Sequence, residues 1–354
     1  MTEPVTPPVH CGANHPDRVW IARMRDALAR WEAAAPSTPT SSVLGGGAIA
    51  AAEAAFSGLH DGRPTLFLPS ATYALRAGLQ ALGVRTGDEV ICAIIDWPAA
   101  FAAITSLGAT PVPVAVDPQT ITIDPRAAAQ ARTSQTRAVV ACHLHGICAD
   151  IPALRRLLPG IGVCEDASQA FGACLDGRHA GTLGDVAVLS VGPGKHIDAG
   201  EGGILLCRTA TLHKRAITVA CHPLRNLLIG TTRTDPRALV MRPHPMAAVL
   251  ALQQLAAWSP GPAQAIHAAT LARLAGNPQI TPLGHPARHT TAQPHVPVLV
   301  TPDTAAPPTG ITWAPSGAQV LASQAKMTRR PAQALLHRVR LATIRTPVIS
   351  DPGR

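Results

Sequence analysis

Lysine is nearly absent from this chain of 354 residues: Lys195, Lys214 and Lys326 stand beside 27 arginines. An arginine keeps its proton in any protein setting, whereas a lysine can be tuned to a neutral amine, so amine chemistry has at most three addresses here. Aromatic residues are equally scarce at 3%, with one tyrosine, which removes the stacking platforms that single-stranded nucleic acid requires. The formal charge of +9 comes from scattered arginines with no basic stripe, a pattern that argues against nucleic acid and suits an anionic small molecule. No apolar run approaches the roughly 18 residues of a membrane span. The residues from Met1 to Pro8 are polar and proline-rich, without the apolar stretch of a secretory signal, so a cytoplasmic protein is expected. The eight cysteines, Cys11, Cys92, Cys142, Cys148, Cys164, Cys174, Cys207 and Cys221, form no CxxC pair and fall mostly inside apolar runs. They read as buried thiols in a reducing compartment. His143 and His145 flank Leu144 near Cys142, but no second tight pair accompanies them, and no metal site is expected.

What the chain does have is apolar content, 47% by residue, enough to bury a sizeable core in two lobes. The middle alternates β-rich runs with helical stretches: 89–95, 138–142, 161–164, 185–190 and 203–207 read as strands, and 99–107 and 151–158 as helices. Near-continuous apolar strands separated by helices predict an α/β fold with a mainly parallel sheet covered on both faces. We place an N-terminal arm with one helix (Val19 to Ala34) at 1–43 and a large domain at 44–258 that ends on a helix from Met246 to Trp258. Beyond Ser259, where proline and glycine thicken, a smaller domain occupies 259–354. Thr301 to Pro315 reads as turns around a short strand, and Thr346 to Arg354 as a fraying end.

Lys195 lies between glycine-rich neighbours in Ser190-Val191-Gly192-Pro193-Gly194-Lys195, shortly after Glu165-Asp166-Ala167-Ser168-Gln169. An acid at one strand end and a lysine in a turn after a later strand are what pyridoxal 5'-phosphate needs. The carboxylate keeps the pyridine nitrogen protonated, which makes the ring an electron sink, and the lysine holds the aldehyde as an imine. Ligands of parallel sheets collect at the carboxyl ends of the strands, where Asp166 and Ser190 fall.

The stretch from Leu44 to Leu255 resembles the DegT/DnrJ/StrS-type aminotransferases, pyridoxal-phosphate enzymes best known for aminating keto sugars. The likeness rests on Gly45-Gly46-Gly47, Ser70-Ala71-Thr72-Tyr73-Ala74-Leu75, Gly87-Asp88-Glu89-Val90, Leu107-Gly108-Ala109-Thr110-Pro111, His143-Leu144-His145-Gly146, Glu165 to Ala173, Gly184-Asp185 and Glu201-Gly202-Gly203, in that order. The resemblance implies a type I aminotransferase fold, like that of aspartate aminotransferase, with a large sheet domain, a smaller C-terminal α+β lobe and a homodimer. It implies Lys195 as the cofactor-binding lysine, Asp166 on the pyridine nitrogen, Gln169 near the ring oxygen and Trp97 stacked on the ring. Ala71, Thr72 and Ser190 would hold the phosphate, the first two at a helix N-terminus. Gly45, Gly46, Gly47, His143 and His145 would line the substrate side.

The chain also departs from that pattern. The family's aromatic pair before its lysine is replaced by Val191-Gly192, and a phosphate-binding asparagine lent by the neighbouring subunit aligns with Val240. A bidentate Arg242 is the expected replacement, since it offers a phosphate two parallel donors. The tail after Leu255 is shorter than the family's. The first functional reading is an aminotransferase moving an amino group from L-glutamate or L-glutamine to a keto acceptor, either a keto sugar or a related natural-product intermediate. Two alternatives stay open at this point: the same cofactor driving elimination, decarboxylation or condensation, and a non-catalytic relative acting as partner or regulator.

Overall fold

The computed structural model describes residues 17–34, 42–231, 235–278, 280–285, 287–293 and 296–300, together with strands at 312–315, 319–320 and 340–345. The first part of the arm, Cys11, Lys326, most of 301–315 and the end from Thr346 lie outside the described residues.

Seven strands make the main sheet: β1 (Thr65–Leu68), β2 (Glu89–Ala93), β3 (Thr110–Val114), β4 (Thr136–Cys142), β5 (Gly162–Asp166), β6 (Val186–Ser190) and β7 (Gly203–Cys207). Their order across the sheet is β1-β7-β6-β5-β4-β2-β3. Only β7 runs against its neighbours, pairing antiparallel with β1 and β6; the other contacts are parallel. Two antiparallel contacts in succession leave β1 parallel to β6, so β1 to β6 all end on the same side. One edge of the sheet therefore collects the residues that follow each strand.

Alternation along the strands explains why both faces are covered. Leu66, Val90, Cys92, Ala138, Val140, Val186, Val188 and Leu205 join one core cluster, while Phe67, Ile91, Ala93, Val139, Ala141, Ala187, Leu189 and Ile204 join the other. Helix α1 (Asp17–Ala34) and helix α2 (Ala48–Gly58) pack on the second face with the helix Pro245–Ala257. Helix α3 (Ala71–Ala81), helix α4 (Pro98–Thr105) and the helix Ala210–Ala220 cover the first. Each fully buried Leu or Ile contributes about 1.5–3 kcal/mol, so the two clusters dominate the stability. Gly78 lets α3 lie close to the sheet: a Cβ there would meet Leu205 Cδ1 and Val186 Cγ2 at 3.1 Å.

Helix α3 starts at Ala71, as the sequence reading placed it, because Ser70 caps it, its side chain accepting the Tyr73 N–H at 3.3 Å. Other elements differ from the sequence reading for local reasons. The strand reading at 89–95 divides into β2 and a two-residue strand, Ile95–Asp96, which pairs with Gln319–Val320. A helix at Gly261–Leu274 was not legible in the sequence: it buries only Thr270 and Leu274, so its amphipathic pattern is faint. A separate four-stranded antiparallel sheet comes wholly from residues after Ser259. Among the described residues no helix is long and apolar enough to cross a membrane.

Candidate active site

The carboxyl ends of β1, β2, β4, β5 and β6 deliver Ser70, Asp96 with Trp97, Cys142 with His143, Asp166 and Ser190 to one edge. Lys195 reaches the same place from the turn between β6 and β7. That turn is held by its own backbone and by one acid. Val191 N–H donates to Gly202 O at 3.0 Å and Ala199 N–H to Val191 O at 2.8 Å. Asp198 accepts the N–H groups of Gly194 and Gly200, each at 3.0 Å. Gly194 has φ +74°, a conformation that glycine adopts without strain.

Lys195 lies within range of the Asp166 charge. Burial pushes the Lys195 amine below its ordinary range, and the charges of Asp166 and Cys142 oppose that shift. Asp166 is itself buried; one carboxyl oxygen, Oδ1, accepts the Ser168 N–H at 3.0 Å. An amine biased toward its neutral form beside a carboxylate is suited to forming a bond to a carbonyl and to moving protons.

The N-terminus of α3 faces the neighbouring strand end. Ser70 occupies the Tyr73 amide, which leaves the N–H groups of Ala71 and Thr72 without partners inside the helix. Gly203 at the start of β7 presses against this turn so closely that a Cβ would stand 2.3 Å from Ser70 O and 2.5 Å from Ala71 N. Ser190 Oγ accepts the Gly192 N–H at 3.4 Å. Trp97, 44% exposed, is the N-cap of α4 and donates its own N–H to Asp96 Oδ1 at 2.7 Å. A flat indole left uncovered at the strand ends is a ready stacking face.

Behind the edge lies a buried relay that the sequence did not reveal. Glu165 Oε2 accepts the N–H groups of Leu183 and Gly184 at 2.9 and 2.7 Å, and Oε1 accepts Gly181 N–H at 2.5 Å. His143 Nδ1 accepts the Ala149 N–H at 3.0 Å, so the ring proton is on Nε2, which donates to Glu165 Oε1 at 2.8 Å. Both His143 nitrogens are thus engaged inside the protein, with neither left to hydrogen-bond a ligand. Burial works against the Glu165 charge, but these hydrogen bonds outweigh it and hold the carboxyl below its ordinary range. His145, at φ +56°, donates its backbone N–H to Gln169 Oε1 at 2.8 Å, and burial pushes its imidazole down to about 4.

Gly45 and Arg242 lie elsewhere, in one pocket with Phe67, His222, Arg225 and Met241. Gly45 and Gly47 have φ +79° and +70°, and a Cβ on Gly45 would meet Arg225 Nη1 at 2.5 Å. Arg225 is held by Glu53, with Nη2–Oε2 at 2.6 Å, and Glu53 Oε1 also accepts the Phe67 N–H. Arg242 is exposed at that pocket, and Val240, two residues before it, is exposed as well. Among the described residues no group of three or more His, Cys, Asp or Glu is placed to hold a metal ion.

The chain is similar to two curated proteins described as L-glutamine:2-deoxy-scyllo-inosose aminotransferase. That of Streptoalloteichus tenebrarius is 40% identical over 148 residues, 41% of this chain and 35% of the relative. That of Micromonospora echinospora is 38% identical over 165 residues, 46% of this chain and 39% of the relative. The matches therefore span less than half the length of these relatives. The solved structure of S. venezuelae DesV in complex with a ketimine intermediate superposes with a TM-score of 0.73, at 27% identity, over 94% of this chain and 91% of that one. The fold is accordingly the α/β fold of pyridoxal-phosphate aminotransferases, as the sequence resemblance implied. With its strand-end lysine and acid, and with a family model matching residues 30–308, the chain belongs to the DegT/DnrJ/EryC1/StrS aminotransferase family.

Proposed function

We propose that this protein is a pyridoxal-phosphate-dependent aminotransferase that moves an amino group from L-glutamine or L-glutamate to a keto acceptor of the keto-sugar or keto-cyclitol class. The observation that carries this reading is the half-buried Lys195 amine, pushed toward neutrality, within reach of the charge of the buried Asp166 at the strand ends. The names of the curated relatives support glutamine as donor and a cyclic keto polyol as acceptor.

The residues present fit the cofactor. The Ala71 and Thr72 amides, which have no partner inside the helix, offer an anion site at a helix N-terminus, closed on one side by a glycine whose Cβ would collide with it. When bound, pyridoxal phosphate supplies an electron sink for charge developing at the donor's α-carbon. Asp166 would hold a proton on the pyridine nitrogen, with its Oδ1 fixed by Ser168. Lys195 Nζ would hold the aldehyde and, as a free amine, would be the base that accepts the donor's α-proton and the acid that passes it on. Trp97 would cover one ring face and exclude water from it. Ser190 would add a hydroxyl to the phosphate, and Gln169, held by the His145 N–H, would stand near the ring oxygen. In a homodimer the pocket of Gly45 and Arg242 closes the neighbouring subunit's site, the glycines 45–47 on the substrate side and the Arg242 guanidinium on the phosphate.

We also propose a homodimer, supported by apolar side chains left uncovered beside the Gly45 pocket: Leu227 at 57%, Leu228 at 65% and Val240 at 53% exposure. The division into 1–43, 44–258 and 259–354 belongs to the same proposal, supported by the separate sheet after Ser259. A cytoplasmic location fits the free cysteines among the described residues.

Adding L-glutamine alone to the cofactor-loaded protein tests the reading. Loss of the visible absorbance and appearance of the cofactor's amine form are expected, followed by return of the absorbance with a cyclic keto polyol. An absorbance unchanged by glutamine and by glutamate overturns it.

A further inference from the structure

Asp96 has no role in the mechanism above, and its setting is unusual for a carboxyl. It ends the short strand Ile95–Asp96, its residue is fully buried, Oδ1 accepts the Trp97 N–H at 2.7 Å, and Oδ2 has no hydrogen-bond partner. The Cys142 thiol lies against the same carboxyl, and Asp166 is close enough for its charge to be felt there. Among the described residues, the titratable groups facing Asp96 are Cys92 of β2, Cys142 of β4 and Asp166 of β5, with Lys195 joining through Cys142. A buried carboxylate oxygen with no donor is unfavourable, whereas in the neutral acid that oxygen carries a proton and is itself a donor. Two carboxylates in one dry cluster repel each other, so the first to ionise is the better solvated by donors. Asp166 holds Lys195 nearby; Asp96 does not.

We propose that Asp96 is a positioning residue for Asp166: as the neutral acid it leaves the carboxylate charge at the strand ends on Asp166. When Asp96 ionises, Oδ2 gives its proton to solvent, and the second buried negative charge retains protons on the Lys195 side of the site. Burial first, then the charge of Asp166, push the Asp96 carboxyl up to about 7, against the opposing effect of Cys142 and the Trp97 amide. Because the consequence for Lys195 rests on the proposed cofactor chemistry, two readouts separate the claims.

The first is the infrared carboxylic-acid band of the protein without added substrate, followed from about pH 5 to about pH 9. A band present at the acid end, lost with rising pH and missing throughout in Asp96→Asn is expected. Asparagine keeps an oxygen for the Trp97 N–H and stays neutral. Cys142→Ala, which removes the polar thiol lying against the carboxyl, should move the loss of the band to higher pH. The second is the pH titration of the visible absorbance of the cofactor-loaded protein, whose midpoint should fall by about one unit in Asp96→Asn once the second charge is gone. A band missing at the acid end, or one with the same pH midpoint in Cys142→Ala, overturns the proposal. So does an absorbance midpoint unchanged in Asp96→Asn. A wild-type protein that shows the band but forms no visible absorbance refutes the cofactor reading and leaves the neutral Asp96 standing.

Discussion

Gly203→Ala is the sharpest perturbation of the anion cradle. The added Cβ would stand 2.3, 2.4 and 2.5 Å from Ser70 O, Ser70 C and Ala71 N, all backbone atoms that cannot swing aside as a side chain would. Restoring ordinary contact requires the first turn of α3 and the start of β7 to separate by roughly 1 Å, and forced overpacking of this kind costs about 1–3 kcal/mol. The shift falls on the Ala71 and Thr72 amides, where a displacement of that size degrades charge-assisted hydrogen bonds worth about 1.5–3 kcal/mol each. The cofactor dissociation constant, measured by absorbance titration of the cofactor-free protein, should therefore rise about tenfold for each 1.4 kcal/mol lost. Gly78→Ala is the matched control. It crowds Leu205 and Val186 side chains further along the same helix at 3.1 Å, so it should cost stability and leave cofactor affinity unchanged. Wild-type affinity in Gly203→Ala, or equal weakening in both variants, refutes the assignment of the phosphate to this helix.

Glu165→Gln turns one acceptor oxygen into a donor facing donors, losing two of the bonds from Gly181, Leu183, Gly184 and His143. A loss of roughly 3–6 kcal/mol in denaturant unfolding is expected, and a change under about 1 kcal/mol contradicts the relay. Since the folded Glu165 carboxyl is held below its ordinary range, its contribution is complete above the unfolded value of about 4.3 and is lost as pH falls through the folded one. Wild-type stability should therefore decline below that point more steeply than that of Glu165→Gln. Asp166→Asn should keep the cofactor bound but lose most turnover, because an amide cannot hold the pyridinium proton; near-normal turnover means another acid serves the ring. Leu228→Glu, at 65% exposure, should convert a dimer to monomers by light scattering with the fold intact, and an unchanged mass places the interface elsewhere.

The sequence carried the sheet because β4, β5 and β6 are near-continuous apolar runs, and it carried Lys195 and Asp166 because a tunable amine and an acid stood out after two of those runs. It did not carry the contacts that join distant segments. Gly203 reads as an ordinary strand glycine until the fold lays it on Ser70. His143 reads as a substrate-side histidine until Ala149 and Glu165 occupy both its nitrogens. Asp96 reads as a polar neighbour of Trp97, and only the packed sheet reveals it buried beside Cys142 and Asp166. Arg242 lines a pocket with Gly45 and Arg225 on the chain's own surface, and a ligand lent to a neighbouring subunit is not legible from the contacts within one chain.

The anchor point of the cofactor is the most direct test of the proposed chemistry. Borohydride reduction of the cofactor-loaded protein, followed by peptide mass mapping, should place the single adduct on the peptide containing Lys195, and Lys195→Ala should show none. An adduct on Lys214 or Lys326, or one that persists in Lys195→Ala, contradicts the account.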